Sequence, residues 1–332
     1  MLNFALIGYG YWGPNVARNL YKNKQINFKY ICDLKQDRLD LAKDLYANDI
    51  QYTTKFDDVI ADDSIDAICL AVETSAHFEL GKRVIESGKN LYVEKPFTDN
   101  VAQAIELKEL AAERDVTIHV DHIMIYHPAI VKIKEIIDAG ELGDIIYMDC
   151  SRMNLGKVKN DVSAMWDLSV HDLSIIDYLS DGVEVKTVKS MGRIIYSTKP
   201  SVTFITADYG SFIANIKANW ISPIKERKLI IAGTKKMLVY DDVDVLNKLI
   251  VYDKGFDVIS DCDQMEYSEF VVKTRSGDAV IPQLEVADAL FNSLEHFRKC
   301  ILEKQESLSG PDAAIRVLTV LEEADNNMTV SE

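Results

Sequence analysis

Positive charge is scarce in this sequence. Its 332 residues include 37 lysines and arginines against 53 aspartates and glutamates, which gives a formal net charge of −16 at pH 7. Nucleic acids and anionic membranes bind to basic protein faces, so this balance argues against both as partners. An anionic small molecule is compatible with it only where a few cationic side chains gather locally.

Cysteines and long apolar runs are also few. The five cysteines are far apart and never in C-x-x-C spacing, so we expect buried free thiols rather than a disulfide framework, and no metal site. They are Cys32, Cys69, Cys150, Cys262 and Cys300. No stretch approaches the roughly 18 apolar residues of a membrane span, and "MLNFALIGYG" has no Lys or Arg before its apolar run. We therefore expect a cytoplasmic protein that does not enter membranes.

The order of apolar runs and helical patterns divides the chain into two domains. Up to about residue 121, runs such as "NFALI", "FKYIC" and "DAICLAV" alternate with helical patterns, which indicates parallel strands joined by helical crossovers. After a helix near 127–139, strands follow in series, as in an antiparallel sheet. We predict an α/β domain over 1–122 and an α+β domain with a large, mostly antiparallel open sheet over 123–332. Two helical patterns at about 283–328 should pack on a domain face.

A glycine-rich turn follows the first predicted strand. "NFALIGYGYWGPN" places Gly8, Gly10 and Gly13 in G-x-G-x-x-G spacing between a strand and a helix. That context allows a tight turn, close approach of the backbone to a pyrophosphate and packing of the helix, which identifies a Rossmann dinucleotide-binding domain. Tyr11 and Trp12 lie within the turn and are predicted to contact the cofactor. The alternative is a glycine turn with no ligand.

An acidic residue favours NAD as that cofactor. Asp33 ends the second predicted strand, about twenty residues after Gly13, where a carboxylate can hydrogen-bond the ribose hydroxyls and repel a 2′-phosphate. Arg38 keeps NADP open as the less favoured cofactor, because a nearby arginine can accept the extra phosphate.

Further candidate residues follow the strands "DAICLAV" and "NLYV". Ligands of parallel sheets bind beyond the carboxyl ends of the strands, which is where Thr74, His77, Glu94 and Lys95 fall. Pro96 ends the second of these strands because proline cannot donate to a sheet ladder. We predict that these four residues contact the cofactor, although a histidine in the first turn of a helix can also be structural.

The N-terminal glycine turn and three further stretches give the chain a family resemblance. Glu94-Lys95-Pro96, "HPAIVKIKEIIDAGELGDI" and "WDLSVHDLSIIDYL" resemble the Gfo/Idh/MocA oxidoreductases over nearly the whole chain. The resemblance implies that Lys95, with Asp167 and His171 in D-x-x-x-H spacing, acts on a sugar or polyol hydroxyl. "NLG", "WDL" and "HDLSI" are most similar to nucleotide-sugar 3-dehydrogenases of the UDP-N-acetylglucosamine and UDP-N-acetylglucosaminuronate type.

The residue types suit removal of a proton from an alcohol. Spacing of four residues on a helix puts Asp167 and His171 on one face, so the carboxylate can fix the imidazole tautomer and raise its basicity. His171 is the predicted general base. Lys95 should hydrogen-bond the same hydroxyl and could exchange roles with His171, and Glu94 should restrain the lysine or contact the nicotinamide ribose. The alternative for His171 is an ordinary hydrogen-bonded helix residue.

Cationic residues follow the first strand of the second domain. "CSRMNLGKVKND" collects four side chains that could bind a diphosphate, namely Arg152, Asn154, Lys157 and Lys159. Tyr126 and His122, at the domain junction, are further candidates for substrate contact. A solvated loop with chance lysines, and packing at a helix start, are the respective alternatives.

The sequence thus predicts an NAD-dependent enzyme that oxidises the 3-hydroxyl of a UDP-N-acetylhexosamine or its uronate, giving a 3-keto sugar for later transamination. A polyol or inositol dehydrogenase and a non-catalytic NAD-binding redox sensor are the alternatives. Presence of Lys95, Asp167 and His171 together argues against the sensor, which needs none of them. We also expect a homo-oligomer that forms through the C-terminal sheet.

Overall fold

The computed structural model describes residues 1–46, 49–160, 162–258 and 272–331. The chain forms two compact units. One comprises Met1–His127 and Val286–Glu322, and the other comprises Pro128–Glu285 and Glu323–Glu332. Four of the five cysteines are buried, as predicted, and Cys262 lies outside the described residues.

The first unit is built on a six-stranded parallel sheet whose strands alternate with helices. Its strands are β1 (Leu2–Ile7), β2 (Ile26–Cys32), β3 (Gln51–Thr53), β4 (Ala67–Leu70), β5 (Asn90–Val93) and β6 (Ile118–Val120). The helices are α1 (Gly13–Lys22), α2 (Gln36–Lys43), α3 (Phe56–Ile60), α4 (His77–Glu86) and α5 (Val101–Arg114). The strand order β3-β2-β1-β4-β5-β6 reverses direction between β1 and β4, as in Rossmann domains. The predicted α/β fold is confirmed.

Helix α8 (Ala289–Glu303) also belongs to this unit. It begins where the Asp288 side chain accepts hydrogen bonds from the first-turn amides, and it buries Leu294 and Phe297 in the core of the sheet. The Phe297 ring lies edge-on to that of Phe4, with centroids 5.8 Å apart. Burial of each such side chain stabilises the fold by roughly 1.5–3 kcal/mol. The first compact unit thus ends its first segment at His127 and includes 286–322, and the domain boundary between 122 and 123 stays a prediction.

The second unit contains a nine-stranded sheet. Its elements are α6 (Pro128–Asp138), β7 (Ile145–Leu155), α7 (Val170–Leu179), β8 (Thr187–Ile194), β9 (Pro200–Asp208), β10 (Ile213–Asn219), β11 (Ile221–Gly233), β12 (Met237–Asp241), β13 (Leu249–Val258), β14 (Val272–Val280) and β15 (Met328–Ser331). Helix α9 (Pro311–Asn326) precedes β15, and its residues up to Glu322 belong to the first unit. The order is β14-β13-β12-β11-β7-β10-β9-β8-β15. Within the described part of this sheet, only β10 with β7 and β15 with β8 pair in parallel, so the predicted mostly antiparallel sheet is confirmed.

One face of this sheet is buried. Along β9 and β10, buried and exposed residues alternate, as expected for strands that pack on one side only. Exposed apolar side chains include Phe204 and Ile213, and association of copies through the sheet stays a prediction. None of the helices in the described residues has the length and apolar content needed to cross a membrane.

Candidate active site

The glycine turn after β1 has no room for side chains. Gly8 has φ +94°, and a Cβ there would lie 2.4 Å from the Ala71 carbonyl oxygen. A Cβ on Gly13 would lie 2.2 Å from the carbonyl oxygen of Gly8, because α1 starts against the turn. Gly10 is covered by the Arg38 guanidinium, whose Nη1 would be 3.3 Å from an added Cβ. A side chain at Gly8 or Gly13 would collide with the backbone, so the tight turn before α1 requires glycine at both positions.

Asp33 lies directly after β2 and is tied to this turn. One carboxylate oxygen accepts the Tyr9 amide at 2.7 Å and Arg38 Nη1 at 3.3 Å, and the other accepts the Lys35 amide at 2.9 Å. Tyr11 is fully open to solvent at 96% exposure, and Trp12 caps α1. The turn, the helix start and the carboxylate match what an NAD molecule requires, so the residues fit this cofactor.

His77 begins α4 and holds two loops at the carboxyl edge of the sheet. Its Nδ1 is 2.9 Å from the Pro96 carbonyl oxygen and its Nε2 is 3.2 Å from that of Val72. Burial lowers the pKa of His77, so the neutral ring donates its single N–H to one of these two carbonyl oxygens. Thr74 starts a short 3-10 turn before α4. Direct contact of Thr74 or His77 with the cofactor stays a prediction.

Lys95 follows β5 at the same edge, beside the partly buried Glu94 and near the buried Asp121. Burial and the neighbouring Asp121 carboxyl raise the pKa of Glu94 well above its usual range. Burial and the Lys95 ammonium lower the pKa of His122 to about 3, so this ring is neutral at physiological pH. Sequence reasoning missed Asp121, although "VTIHVDH" places a carboxylate directly after the last parallel strand.

Tyr126 ends a 3-10 turn, Ile123–Tyr126, in the first unit. Its side chain is buried, and its ring stacks on that of His119 with centroids 5.6 Å apart. The Tyr126 carbonyl accepts a hydrogen bond from Asn292 of the α8 helix at 3.3 Å. These contacts account for Tyr126 by packing, and contact with substrate stays a prediction.

In the second unit, Asp167 and His171 share one helical segment. Residues Met165–Ser169 form a π-helical turn that continues directly into α7, so the helix begins early enough to include both. Single π turns within α-helices are frequent at functional sites. Asp167 pairs with Lys159 at 3.0 Å, and its backbone amide donates to the Ser163 carbonyl. The π turn packs near a small apolar cluster that includes Ala164 and Trp220.

The cationic residues after "CSRM" have different surroundings. Arg152 lies buried in β7 and donates to Asp172, with Nη2 2.8 Å and Nε 3.2 Å from carboxylate oxygens. Lys159 is engaged by Asp167, whereas Lys157 is exposed and Asn154 is partly exposed. Arg152 thus neutralises a buried carboxylate one residue after His171, and its binding of phosphate stays a prediction. Among the described residues, no His, Cys, Asp and Glu side chains group as a metal site requires.

Comparison with known proteins agrees with this architecture. The oxidoreductase family with an NAD-binding Rossmann fold, GFO/IDH/MocA, matches residues 2–122, and the GFO/IDH/MocA C-terminal domain matches residues 130–239. Scyllo-inositol 2-dehydrogenase (NAD(+)) of Bacillus subtilis is 26% identical over 340 residues, covering 92% of this chain and 98% of the relative.

A nucleotide-sugar enzyme is similar as well. UDP-N-acetylglucosamine 3-dehydrogenase of Acidithiobacillus ferrooxidans is 28% identical over 195 residues, covering 58% of this chain and 59% of the relative. The solved structure of that enzyme, GnnA, superposes with a TM-score of 0.80 at 22% identity, covering 98% of this chain and 97% of GnnA. The chain therefore belongs to the Gfo/Idh/MocA oxidoreductases and is an NAD-dependent enzyme acting on CH–OH groups.

Proposed function

We propose that the protein oxidises the 3-hydroxyl of a UDP-N-acetylhexosamine or its uronate to a 3-keto nucleotide sugar. The observation that carries this choice is the segment after β7, where Lys157 is exposed and Lys159 follows in a chain of net charge −16. A diphosphate needs such cations, whereas an uncharged inositol does not. Similarity to UDP-N-acetylglucosamine 3-dehydrogenase supports the same choice.

Different residues of the chain bind the cofactor and accept the proton. When bound, NAD accepts a hydride from the carbon that carries the reacting hydroxyl. The glycine turn and Asp33 hold the pyrophosphate and the adenosine ribose. His171 takes the hydroxyl proton on an imidazole nitrogen, and the Asp167 carboxylate, in the same helical segment, stabilises the imidazolium that forms.

Lys95 acts on the oxygen rather than on the proton. Its ammonium donates a hydrogen bond to the hydroxyl oxygen and stabilises the negative charge that develops as the proton leaves, an interaction strongest in the transition state. Glu94 keeps the lysine in place.

A second candidate function is oxidation of a free inositol. It is favoured by the scyllo-inositol 2-dehydrogenase of Bacillus subtilis, whose similarity extends over 92% of this chain. The two candidates share the chemistry at the alcohol and differ in whether a diphosphate must be bound.

Formation of NADH tests the proposal. UDP-N-acetylglucosamine, its uronate, scyllo-inositol and myo-inositol are each incubated with the protein and NAD, and the product is reduced with borodeuteride. We expect NADH with a UDP sugar and deuterium at C3. Lys157→Gln should raise KM for the UDP sugar only. Lys189 is an exposed lysine on β8, and Lys189→Gln should leave kcat and KM unchanged. NADH from inositols alone would reject the nucleotide-sugar assignment.

A further inference from the structure

Two acids end neighbouring strands of the parallel sheet. β5 pairs with β6 so that Val93 lies opposite Val120, and the next residue of each strand is an acid, Glu94 and Asp121. Backbone bonding continues through them, because the Glu94 amide donates to Leu70 at 3.0 Å and the Asp121 amide to Val93 at 2.8 Å. The sheet therefore fixes both acids side by side at its carboxyl edge.

Each acid has one fully buried side-chain oxygen, Oε1 of Glu94 and Oδ2 of Asp121. The Trp12 indole N–H and the Tyr92 hydroxyl hydrogen-bond the Asp121 carboxylate, and the two acid side chains also hydrogen-bond each other. Two ionised carboxylates have no proton to form that bond and would repel each other in a buried site. One of the two must carry a proton.

A serine of helix α8 hydrogen-bonds the other oxygen of Asp121. Asp121 Oδ1 accepts a hydrogen bond from the Ser293 hydroxyl at 3.2 Å. Ser293 also contacts the Tyr92 hydroxyl at 3.0 Å and His119 Nε2 at 2.9 Å. Asp121 is thereby fixed in orientation beside Glu94.

The titratable groups that surround the two acids are neutral at physiological pH, apart from Lys95. Burial raises the pKa of Cys69 and of Tyr92 well above their usual ranges, and burial lowers the pKa of His119 well below its own. His122, with its pKa lowered to about 3, is uncharged as well. The acid pair with one proton and the Lys95 ammonium then carry opposite single charges.

We propose that Glu94 and Asp121 share one proton and that the single negative charge of this acid pair holds Lys95 as an ammonium at the sheet edge. Asp121 is a positioning residue, since it acts on Lys95 through Glu94. This role of Asp121 rests on the proposed function only in that Lys95 takes part in the reaction. Burial raises the pKa of both carboxyls, so either can carry the shared proton.

Amide substitutions distinguish the effect of the negative charge on Lys95 from the effect of the hydrogen bond between Glu94 and Asp121. Glu94→Gln or Asp121→Asn replaces the shared proton by an amide N–H and keeps one carboxylate, whereas the double variant removes the charge. Competitive acetylation against pH, read by mass spectrometry on protein without cofactor or substrate, gives the titration midpoint of Lys95. We expect little change in the single variants. In the double variant the midpoint should fall by about one to three pH units, since it loses an opposite charge nearby.

A control and a direct readout complete the test. Ser293→Ala removes the hydrogen bond to Asp121 but keeps both acids, so it should lower Tm without moving the Lys95 midpoint. In protein labelled with ¹³C at the Asp and Glu carboxyls, one carboxyl, absent from Glu94→Gln, should remain protonated at neutral pH. An unchanged Lys95 midpoint in the double variant, or two acids that both ionise at ordinary values, would overturn the proposal. Both readouts need no turnover, so they stand or fall separately from the substrate assignment.

Discussion

Each unit of the molecule buries a charged cluster next to a residue of the proposed mechanism, and the two clusters differ in kind. Beside Lys95, two acids meet with one proton between them. Beside His171, Asp172 is held by the bidentate guanidinium of Arg152, with the two side chains 5% and 8% exposed. Arginine keeps its proton at any physiological pH, so the second cluster has a fixed charge, whereas the first can titrate. Burial of charged side chains alone therefore does not identify a catalytic site. A buried group that can gain or lose a proton is the better indicator.

Removal of His171 should have the largest effect, a loss of turnover. We expect His171→Ala to lower turnover by roughly two to four orders of magnitude, as for loss of a general base. Binding of NAD, followed by fluorescence quenching, should survive within a few-fold, since the glycine turn and Asp33 lie in the other unit. An unchanged turnover number removes His171 from the mechanism.

Removal of Arg152 should break the fixed cluster. Arg152→Met leaves Asp172 buried without its partner, and we expect a loss of about 3–5 kcal/mol in the free energy of unfolding, measured with urea. Arg227→Met, at a half-exposed pair with Asp242, should cost less than about 1 kcal/mol. The double variant Arg152→Met, Asp172→Leu should recover much of the loss, because no unpaired charge remains. Equal losses at Arg152 and Arg227 would contradict a buried, fixed pair.

Two lysines at opposite ends of β5 sharpen the contrast between chemistry and structure. Lys95→Met should reduce kcat by roughly a hundredfold, with the fold intact and NAD binding within a few-fold. Lys89, before β5, is buried and donates to the Asp62 and Ile65 carbonyls at 2.9 and 3.3 Å. Lys89→Met should instead lower Tm and leave kcat nearly normal in the folded fraction. The reverse pattern would make Lys95 a structural residue.

Asp33 gives the smallest expected effect. The unmutated protein should bind NAD more tightly than NADP, and Asp33→Ala should narrow that preference by about tenfold, the equivalent of one charge-assisted hydrogen bond. Asp66→Ala serves as the control, because Asp66 lies at the opposite edge of the sheet, directly before β4, where its carboxylate accepts the Asn3 amide. Similar dissociation constants for both cofactors in the unmutated protein would refute the role of Asp33.

The fold could be predicted because its signals are local. Alternation of apolar runs with helical patterns gives parallel strands, and the glycines fix the turn before α1 through steric exclusion alone. The placement of α8 could not be read in the same way, since an apolar helix face does not say which sheet it covers. Phe297 and Phe4 are far apart in the sequence and contact each other only in the folded structure.

Charge pairing was the least predictable part of the candidate site. Asp121 becomes a partner of Glu94 because β6 lies beside β5, which is a property of strand order and not of spacing. Arg152 belonged by sequence to a cationic loop, and the strand register of β7 turned it inward to Asp172 instead. Residues distant in the chain select these partners, so the sequence around each residue could show that an acid ends the strand but not which residue it pairs with.

The ratio of kcat/KM for a UDP-N-acetylhexosamine to kcat/KM for scyllo-inositol tests the proposed function most directly. Both constants are measured with the same preparation, NAD concentration and pH, by the formation of NADH. Recognition of a diphosphate through Lys157 predicts a ratio well above one, and a ratio that falls in Lys157→Gln. A ratio below one, unaffected by Lys157→Gln, would contradict the account and assign the enzyme to free inositols.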